Sequence, residues 1–314
     1  MLIKHIMLIK ILKEFFMSIR TDMAIELARD VGCSEGIFEE NFTDENGVDV
    51  CRIAVNSEKA AEALGKPQGK YITLDMGKIG GLLPEKKRVL SKATAKELSN
   101  ILGDFESALV VGLGNRAVTP DSLGPKCCDG VFVTRHIKKH IPEAIDCRAS
   151  TVSAITPNVL AVTGIESMEI ISCVCEEIKP DVIIAVDALS AREIKRIGSS
   201  IQITDTGIIP GAGVANRRLA INEKSTGRKV VAIGVPTVAY AVTVAYDVLK
   251  SAFKEKSSEA DFALQGLRDS KESLVVTPTD IDRLTDHAAK VISDALNLAL
   301  NPNIPYEDIR DFMD

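Results

Sequence analysis

Asp181-Val-Ile-Ile-Ala-Val-Asp187 is the stretch that decides the fold. Five apolar residues, four of them β-branched Val or Ile, follow Pro180-Asp181 and stop at an aspartate. Such a run reads as a strand buried on both faces, the kind that parallel sheets bury between helices. The helical spacing of Ser167 to Ile178 precedes it, and Ala188 to Ile197 behind it also reads as a helix. Comparable runs lie on either side. Ala108 to Leu113 stops at Gly114-Asn115, and Val131 to Thr134 leads into Arg135-His136. Ile201 to Thr204 enters a glycine-rich loop at Asp205, and Val230 to Val235 ends at Pro236, with Thr237 to Phe253 helical beyond it. Strands alternating with helices predict an α/β protein with a mostly parallel central sheet flanked by helices. Ligands in such sheets bind beyond the carboxyl ends of the strands, so Asn115, Asp121, Asp187 and Asp205 are expected to converge on one edge.

The flanks of this region complete the outline. Thr21 to Val31 has helical spacing, and Val48 to Val55 and Tyr71 to Met76 read as strands. Pro84 to Leu102 is an amphipathic helix ended by Gly103, and Asp280 to Leu300 is a C-terminal helix with Thr277-Pro278 as cap and opening turn. Lys254 to Lys271 is a charged surface segment. Met1 to Met17 is apolar but broken by Lys4 and Lys10 and lacks a small-residue cleavage site, so it is not a signal peptide. It reads either as a loose amphipathic helix or as residues ahead of a start at Met17, with 1–16 misplaced.

Composition narrows the function classes. The 314 residues are 46% hydrophobic and 26% charged, with aromatics at 4% and no Trp, so Ile, Val, Leu and Ala must build the core. A net charge of −6 leaves no basic footprint for nucleic acid. Lys138-Lys139-His140 and Arg217-Arg218 read as solvated faces. No apolar run reaches the ~18 residues of a membrane span. Seven cysteines without a Cys-x-x-Cys pair read as free thiols in a reducing cytoplasm, not as a disulfide framework or a zinc site.

Gly112-Leu-Gly-Asn-Arg-Ala117 matches a dinucleotide-binding pattern, but Pro120 and Pro125 interrupt the helix that pattern requires. Asp121 and Asp187 each admit two readings. Either could cap a helix. Together they could form a carboxylate pair, one member charged and one protonated, which activates water against a peptide carbonyl. His136 is the one imidazole near a strand end and reads as a hydrogen-bonded structural residue. With no His-Glu-x-x-His or comparable ligand pair, no metal and no cofactor are expected.

Several stretches together resemble the germination protease family of spore-forming bacteria. They are Arg20-Thr-Asp-Met-Ala-Ile-Glu26, Val111-Gly-Leu-Gly-Asn115, Val118-Thr-Pro-Asp-Ser-Leu-Gly-Pro125 and Val133-Thr-Arg-His136. Leu160-Ala-Val-Thr-Gly-Ile-Glu166, Ile184-Ala-Val-Asp-Ala-Leu-Ser-Ala-Arg192 and Ile201-Gln-Ile-Thr-Asp-Thr-Gly207 continue the series. Pro210-Gly-Ala-Gly213, Ile233-Gly-Val-Pro-Thr237 and Val276-Thr-Pro278 end it.

The resemblance implies a sheet similar to that of the hydrogenase maturation endopeptidases, with extra N-terminal strands. It implies an atypical aspartic endopeptidase, with Asp121 and Asp187 catalytic and Asn115, Asp205, His136 and Arg192 as supporting polar residues. A metal-dependent maturation-type endopeptidase on the same carboxylates is the alternative. The resemblance further implies a zymogen that cuts itself at Asp22-Met23, so that 1–22 is a propeptide and 23–314 a single α/β peptidase domain. The substrates would be small acid-soluble, DNA-binding spore proteins whose degradation begins at germination, with no direct contact to nucleic acid or membrane. A homotetramer in the cytoplasm of the forespore and the spore core completes the expectation. The chain departs from the family at Met1 to Phe16, which lacks the usual polar character, and at 253–272, which is short.

Overall fold

The computed structural model describes residues 21–32, 35–146, 148–210, 219–245 and 274–313. Sequence readings for 1–20, 211–218 and 246–273 lie outside these described residues. The strands are β1 (Ile37–Thr43), β2 (Asp49–Val55), β3 (Gly69–Asp75), β4 (Ser107–Gly112), β5 (Thr151–Ile155), β6 (Val182–Ala191), β7 (Ser200–Thr204), β8 (Lys229–Tyr240) and β9 (Val275–Val276). Among the described residues the helices of six or more residues are α1 (Ala24–Val31), α2 (Glu58–Leu64), α3 (Pro84–Leu102), α4 (Leu123–Asp129), α5 (Arg135–His140), α6 (Ser167–Ile178), α7 (Ile281–Leu300) and α8 (Tyr306–Met313).

All these strands join one sheet in the order β1-β2-β3-β7-β8-β6-β4-β5, with β9 on β8. The arrangement is α/β, a central sheet flanked by helices. Parallel pairing is confined to β5-β4-β6-β8, while β1, β2, β3 and β7 extend the sheet by antiparallel pairs. β7 therefore runs against β8, and its carboxyl end points away from those of β4, β6 and β8.

Alternation along the strands divides the core between two faces. On one face Val182, Ile184 and Val186 of β6 join Val231, Ile233 and Val235 of β8 under α3, α4 and α7. On the other face Ile183 and Ala185 pack with α6 through Met168, Ile171 and Cys175. Further along that second face Leu189 and Ala191 join a separate cluster built on α1 and α2, with Met23, Ile53 and Tyr71. Each fully buried Ile or Val side chain contributes about 1.5–3 kcal/mol of burial energy, so the central strands dominate the stability.

Three readings of the sequence are corrected here. Ala188 to Ala191 continues β6 instead of opening a helix, because its residues pair with Val235 to Ala239 of β8 and bury Leu189 and Ala191. For the same reason Thr237 to Tyr240 belongs to β8, and helical backbone begins only at Ala241. Pairing and burial override the helical leaning of Ala-Leu-Ser-Ala. Val131 to Thr134 is not a strand but the link between α4 and α5, fixed by Phe132 N–H to Asn297 Oδ1 at 2.8 Å and Thr134 N–H to the Val152 carbonyl at 3.0 Å.

Candidate active site

The second face of the sheet carries two hydrophobic clusters, and β6 passes from one to the other. Asp187 comes after Ile183 and Ala185 in the alternation and precedes Leu189, so its side chain emerges between them. It is interior to β6, paired with Gly234, and neither caps a helix nor ends its strand. Its side chain is buried, and its Oδ1 accepts the Ala188 N–H at 2.9 Å. The strand that does end here is β4, whose last pair is Gly112 with Val186; Leu113 N–H then donates to the Val186 carbonyl at 2.8 Å.

Asp121 reaches the same place by another route. After β4 the chain turns through Gly114, at φ +107°, and makes a single 3-10 turn over Thr119–Asp121 before α4. Asp121 Oδ2 accepts the Asn115 N–H at 2.8 Å, which closes the loop on itself. A Cβ at Gly114 would stand 2.0 Å from the Asp121 carbonyl oxygen, so the loop requires glycine on both counts. Thr237 of β8 donates its hydroxyl to the Pro120 carbonyl at 2.7 Å, tying the turn to the sheet.

Both aspartates line one cleft of about 1600 Å³, together with Asn115, Gly234, Thr237 and Gln202. Three other expected site residues are elsewhere. Asp205 comes after the reversed strand β7 and caps β3, accepting the Lys70 N–H at 2.7 Å. His136 lies exposed on α5, since no strand precedes it. Arg192 is buried beyond the cleft, where its N–H donates to Glu26 Oε2 at 2.8 Å. Asn115 alone of the four supporting residues borders the cleft beside the aspartates.

The segment before α1 also enters the cleft, through Thr21 and Asp22. Asp22 N–H donates to the Ser190 carbonyl at 3.0 Å, and Asp22 Oδ2 accepts from both Ser190 N–H and Ser190 Oγ at 2.8 Å. Gln202 of β7 clamps the next peptide units. Its Nε2 donates to the Asp22 carbonyl at 2.9 Å, and its Oε1 accepts the Ala24 N–H at 2.7 Å. Met23 is wholly buried. Glu26, also wholly buried, accepts the N–H groups of Arg192 and Glu193 at 2.8 Å each and the Thr21 hydroxyl, and forms an ion pair with Arg196 Nε at 3.6 Å.

These anchors were not singled out from sequence. A signal existed for Gln202: Gln and Thr alternate with Ile in Ile201-Gln-Ile-Thr204, a polar face inside a buried strand.

Burial sets the remaining chemistry. The Cys128 thiol, beneath Gly112, is pushed up to about 12 by burial, and Cys127 is raised well above the usual thiol range for the same reason. Neither is a thiolate near neutral pH. The Tyr71 hydroxyl is pushed up to about 12, again chiefly by burial, and donates to the Pro67 carbonyl at 2.8 Å. Burial lowers the Lys66 ammonium, and the neighbouring charge of Asp22 opposes that shift. Among the described residues no three His, Cys, Asp or Glu side chains cluster as metal ligands, and no helix is long and apolar enough to cross a membrane.

An α/β sheet with two carboxylates facing one cleft is an arrangement suited to hydrolysis. A family model described as germination protease matches residues 23–261. A germination protease of Clostridium tetani is 41% identical, covering 95% of this chain and 100% of that one. One of Clostridium perfringens is 39% identical over 94% and 99% of the two chains. One of Priestia megaterium is 34% identical over 93% and 96%. The chain belongs to the germination protease family and is an endopeptidase. A solved [NiFe] hydrogenase maturation protease HycI from Thermococcus kodakarensis is 15% identical, with a TM-score of 0.32 over 64% of this chain and 98% of that one, a likeness too distant to bear on the chemistry.

Proposed function

We propose that this endopeptidase hydrolyses small acid-soluble, DNA-binding spore proteins at germination by an aspartic mechanism in which Asp121 and Asp187 share one water. The observation that carries the reading is the convergence of the two carboxylates, from a loop after β4 and from mid-β6, on one cleft. Each carboxylate accepts one main-chain N–H, which favours its charged form, and the deeper burial of Asp187 tilts the shared proton toward it. Asp121 then takes a proton from water as its oxygen attacks the peptide carbonyl. Asp187 gives its proton to the carbonyl oxygen. As the C–N bond breaks, Asp121 passes the proton taken from water to the leaving amine and a diol hydroxyl returns a proton to Asp187. The pair titrates as one unit, so the roles belong to the pair before they belong to either residue.

The same chemistry is proposed to cut the chain at Asp22-Met23 and so to convert a zymogen into the active form. The entry of Thr21 and Asp22 into the cleft supports this. Asp22 docks on Ser190, three residues beyond Asp187 and roughly 10 Å along the strand. The bond therefore has to slide down to the pair or enter the cleft of a second copy. A first-order rate of self-cleavage, independent of protein concentration, marks the first route; a rate rising with concentration marks the second.

The forespore and spore core as the site of action, and a homotetramer as the working assembly, are proposed with this reading. The acidic net charge agrees with protein substrates over DNA. The test is incubation of the purified chain with a small acid-soluble spore protein, with and without a strong chelator, followed by terminal sequencing of all fragments. Cleavage unaffected by the chelator and a new terminus at Met23 are expected. Loss of cleavage with the chelator favours the metal-dependent alternative, and a new terminus elsewhere refutes Asp22-Met23.

A further inference from the structure

The edge of β6 that faces β4 changes partner along its length. β4 occupies it as far as Val186. Val186, Ala188 and Ser190 present their main-chain groups to the same edge, because successive residues alternate. The next main-chain partner on that edge is Asp22 at Ser190. Between the two stands the stretch beside Asp187, bordering the cleft. A substrate backbone laid along this edge at Asp187 meets Asp22's position about three residues further on, at ~3.3 Å per residue.

Asp22 occupies a built carboxylate site. Ser190 supplies an N–H and a hydroxyl, both at 2.8 Å from Oδ2, and Ser190 is buried. Lys66 also lines the cleft, and the charge of Asp22 acts on its ammonium against the burial that lowers it. Residues on the other side of the Asp22-Met23 bond are fixed independently. Met23 is buried, Ala24 is held by Gln202, and Glu26 is locked by the Arg192 and Glu193 amides and Arg196.

We propose that the Ser190 and Lys66 pocket is a substrate subsite for an acidic side chain about three residues from the scissile bond, and that cutting Asp22-Met23 is the step that empties it. The uncovering half rests on the self-cleavage reading above; the recognition half does not. In the cut, a water oxygen bonds to the Asp22 carbonyl carbon, the bond to the Met23 nitrogen breaks, and that nitrogen gains a proton. The products are an Asp22 α-carboxylate that departs with its side chain and a Met23 amine that stays, held by residues 23–26. Protonated, this amine adds a positive charge beside the vacated pocket. One hydrolysis thus removes an internal acid and leaves a cationic recess at the same spot.

The test uses two capped peptides, acetyl-Arg-Thr-Asp-amide and acetyl-Arg-Thr-Asn-amide, so that the Asp side chain is the sole carboxylate. They are titrated calorimetrically into the full-length Asp22→Ala chain, which empties the pocket without a cut, and into the self-processed wild type. The acidic peptide is expected to bind about 10-fold or more tightly than the amide in both, in keeping with hydrogen bonds to a charged group. The preference is expected to fall within about twofold in Asp22→Ala/Lys66→Met, and the uncut Asp187→Asn chain is expected to bind neither peptide. Equal affinity for the two peptides in the Asp22→Ala chain overturns the subsite. If instead the acid preference holds there while wild type never cuts itself, the subsite stands and the self-cleavage reading fails.

Discussion

Two groups of carboxylates flank the same strand, and they are treated in opposite ways. At the far end of β6, Glu26 is wholly buried and met by two main-chain N–H groups, a hydroxyl and the Arg196 guanidinium. A few residues earlier, Asp187 accepts an N–H from its own strand, its companion Asp121 accepts one from its own loop, and both line an open cleft. Buried charge with every acceptor position engaged is a fastening: it fixes one geometry and has no capacity left for a reactant. Carboxylates that border a cleft stand where a reactant can reach them. The difference comes from placement, since Glu26 sits in the first turn of α1 against the end of β6 while Asp187 emerges between two hydrophobic clusters.

The largest effect expected is at the open pair. Asp187→Asn removes one acid–base partner at nearly constant shape and should lower hydrolysis of a spore protein by ~10²–10⁴-fold, with little change in the denaturation midpoint. The reverse pattern is expected at the fastening. Glu26→Ala leaves the Arg192 and Glu193 amides without their acceptor while Arg196 keeps Glu193 at 3.0 Å, and should cost about 2–5 kcal/mol in denaturant unfolding. A comparable activity loss in Glu26→Ala at temperatures where it stays folded would erase the distinction between the regions. A smaller effect is expected at Gly114→Ala. Its Cβ would meet the Asp121 carbonyl oxygen at 2.0 Å, so the Asp121 loop must shift. About 1–3 kcal/mol of strain and ~10²-fold lower turnover should result. Smallest is Cys128→Ser. The buried thiol is pushed up to about 12 and stays protonated, so turnover near neutral pH should change by less than about twofold.

The sequence showed the parallel core and the two aspartates clearly, because apolar runs of five or six residues ending in a polar residue leave few alternatives. Val182 to Val186 and Ala108 to Gly112 are such runs. The residues just after Asp187 were misleading, since Ala-Leu-Ser-Ala leans helical and only pairing with Val235 to Ala239 holds it extended. The same blindness to pairing misplaced Asp205: nothing local in Ile201-Gln-Ile-Thr204 reveals that β7 runs antiparallel. His136 was misassigned because Val131 to Thr134 is apolar and β-branched yet serves as a link pinned by Asn297. Ser190 and Gln202 meet Asp22 from two distant parts of the chain, a convergence that no spacing rule records.

The central claim is that Asp121 and Asp187 act as one unit on a shared water. The most direct measurement compares kcat/KM of Asp121→Asn, Asp187→Asn and the double variant on one small acid-soluble spore protein. A working pair loses nearly everything with its first member, so each single variant should fall almost as far as the double. Losses that add independently, or a single variant at the wild-type rate, would contradict it.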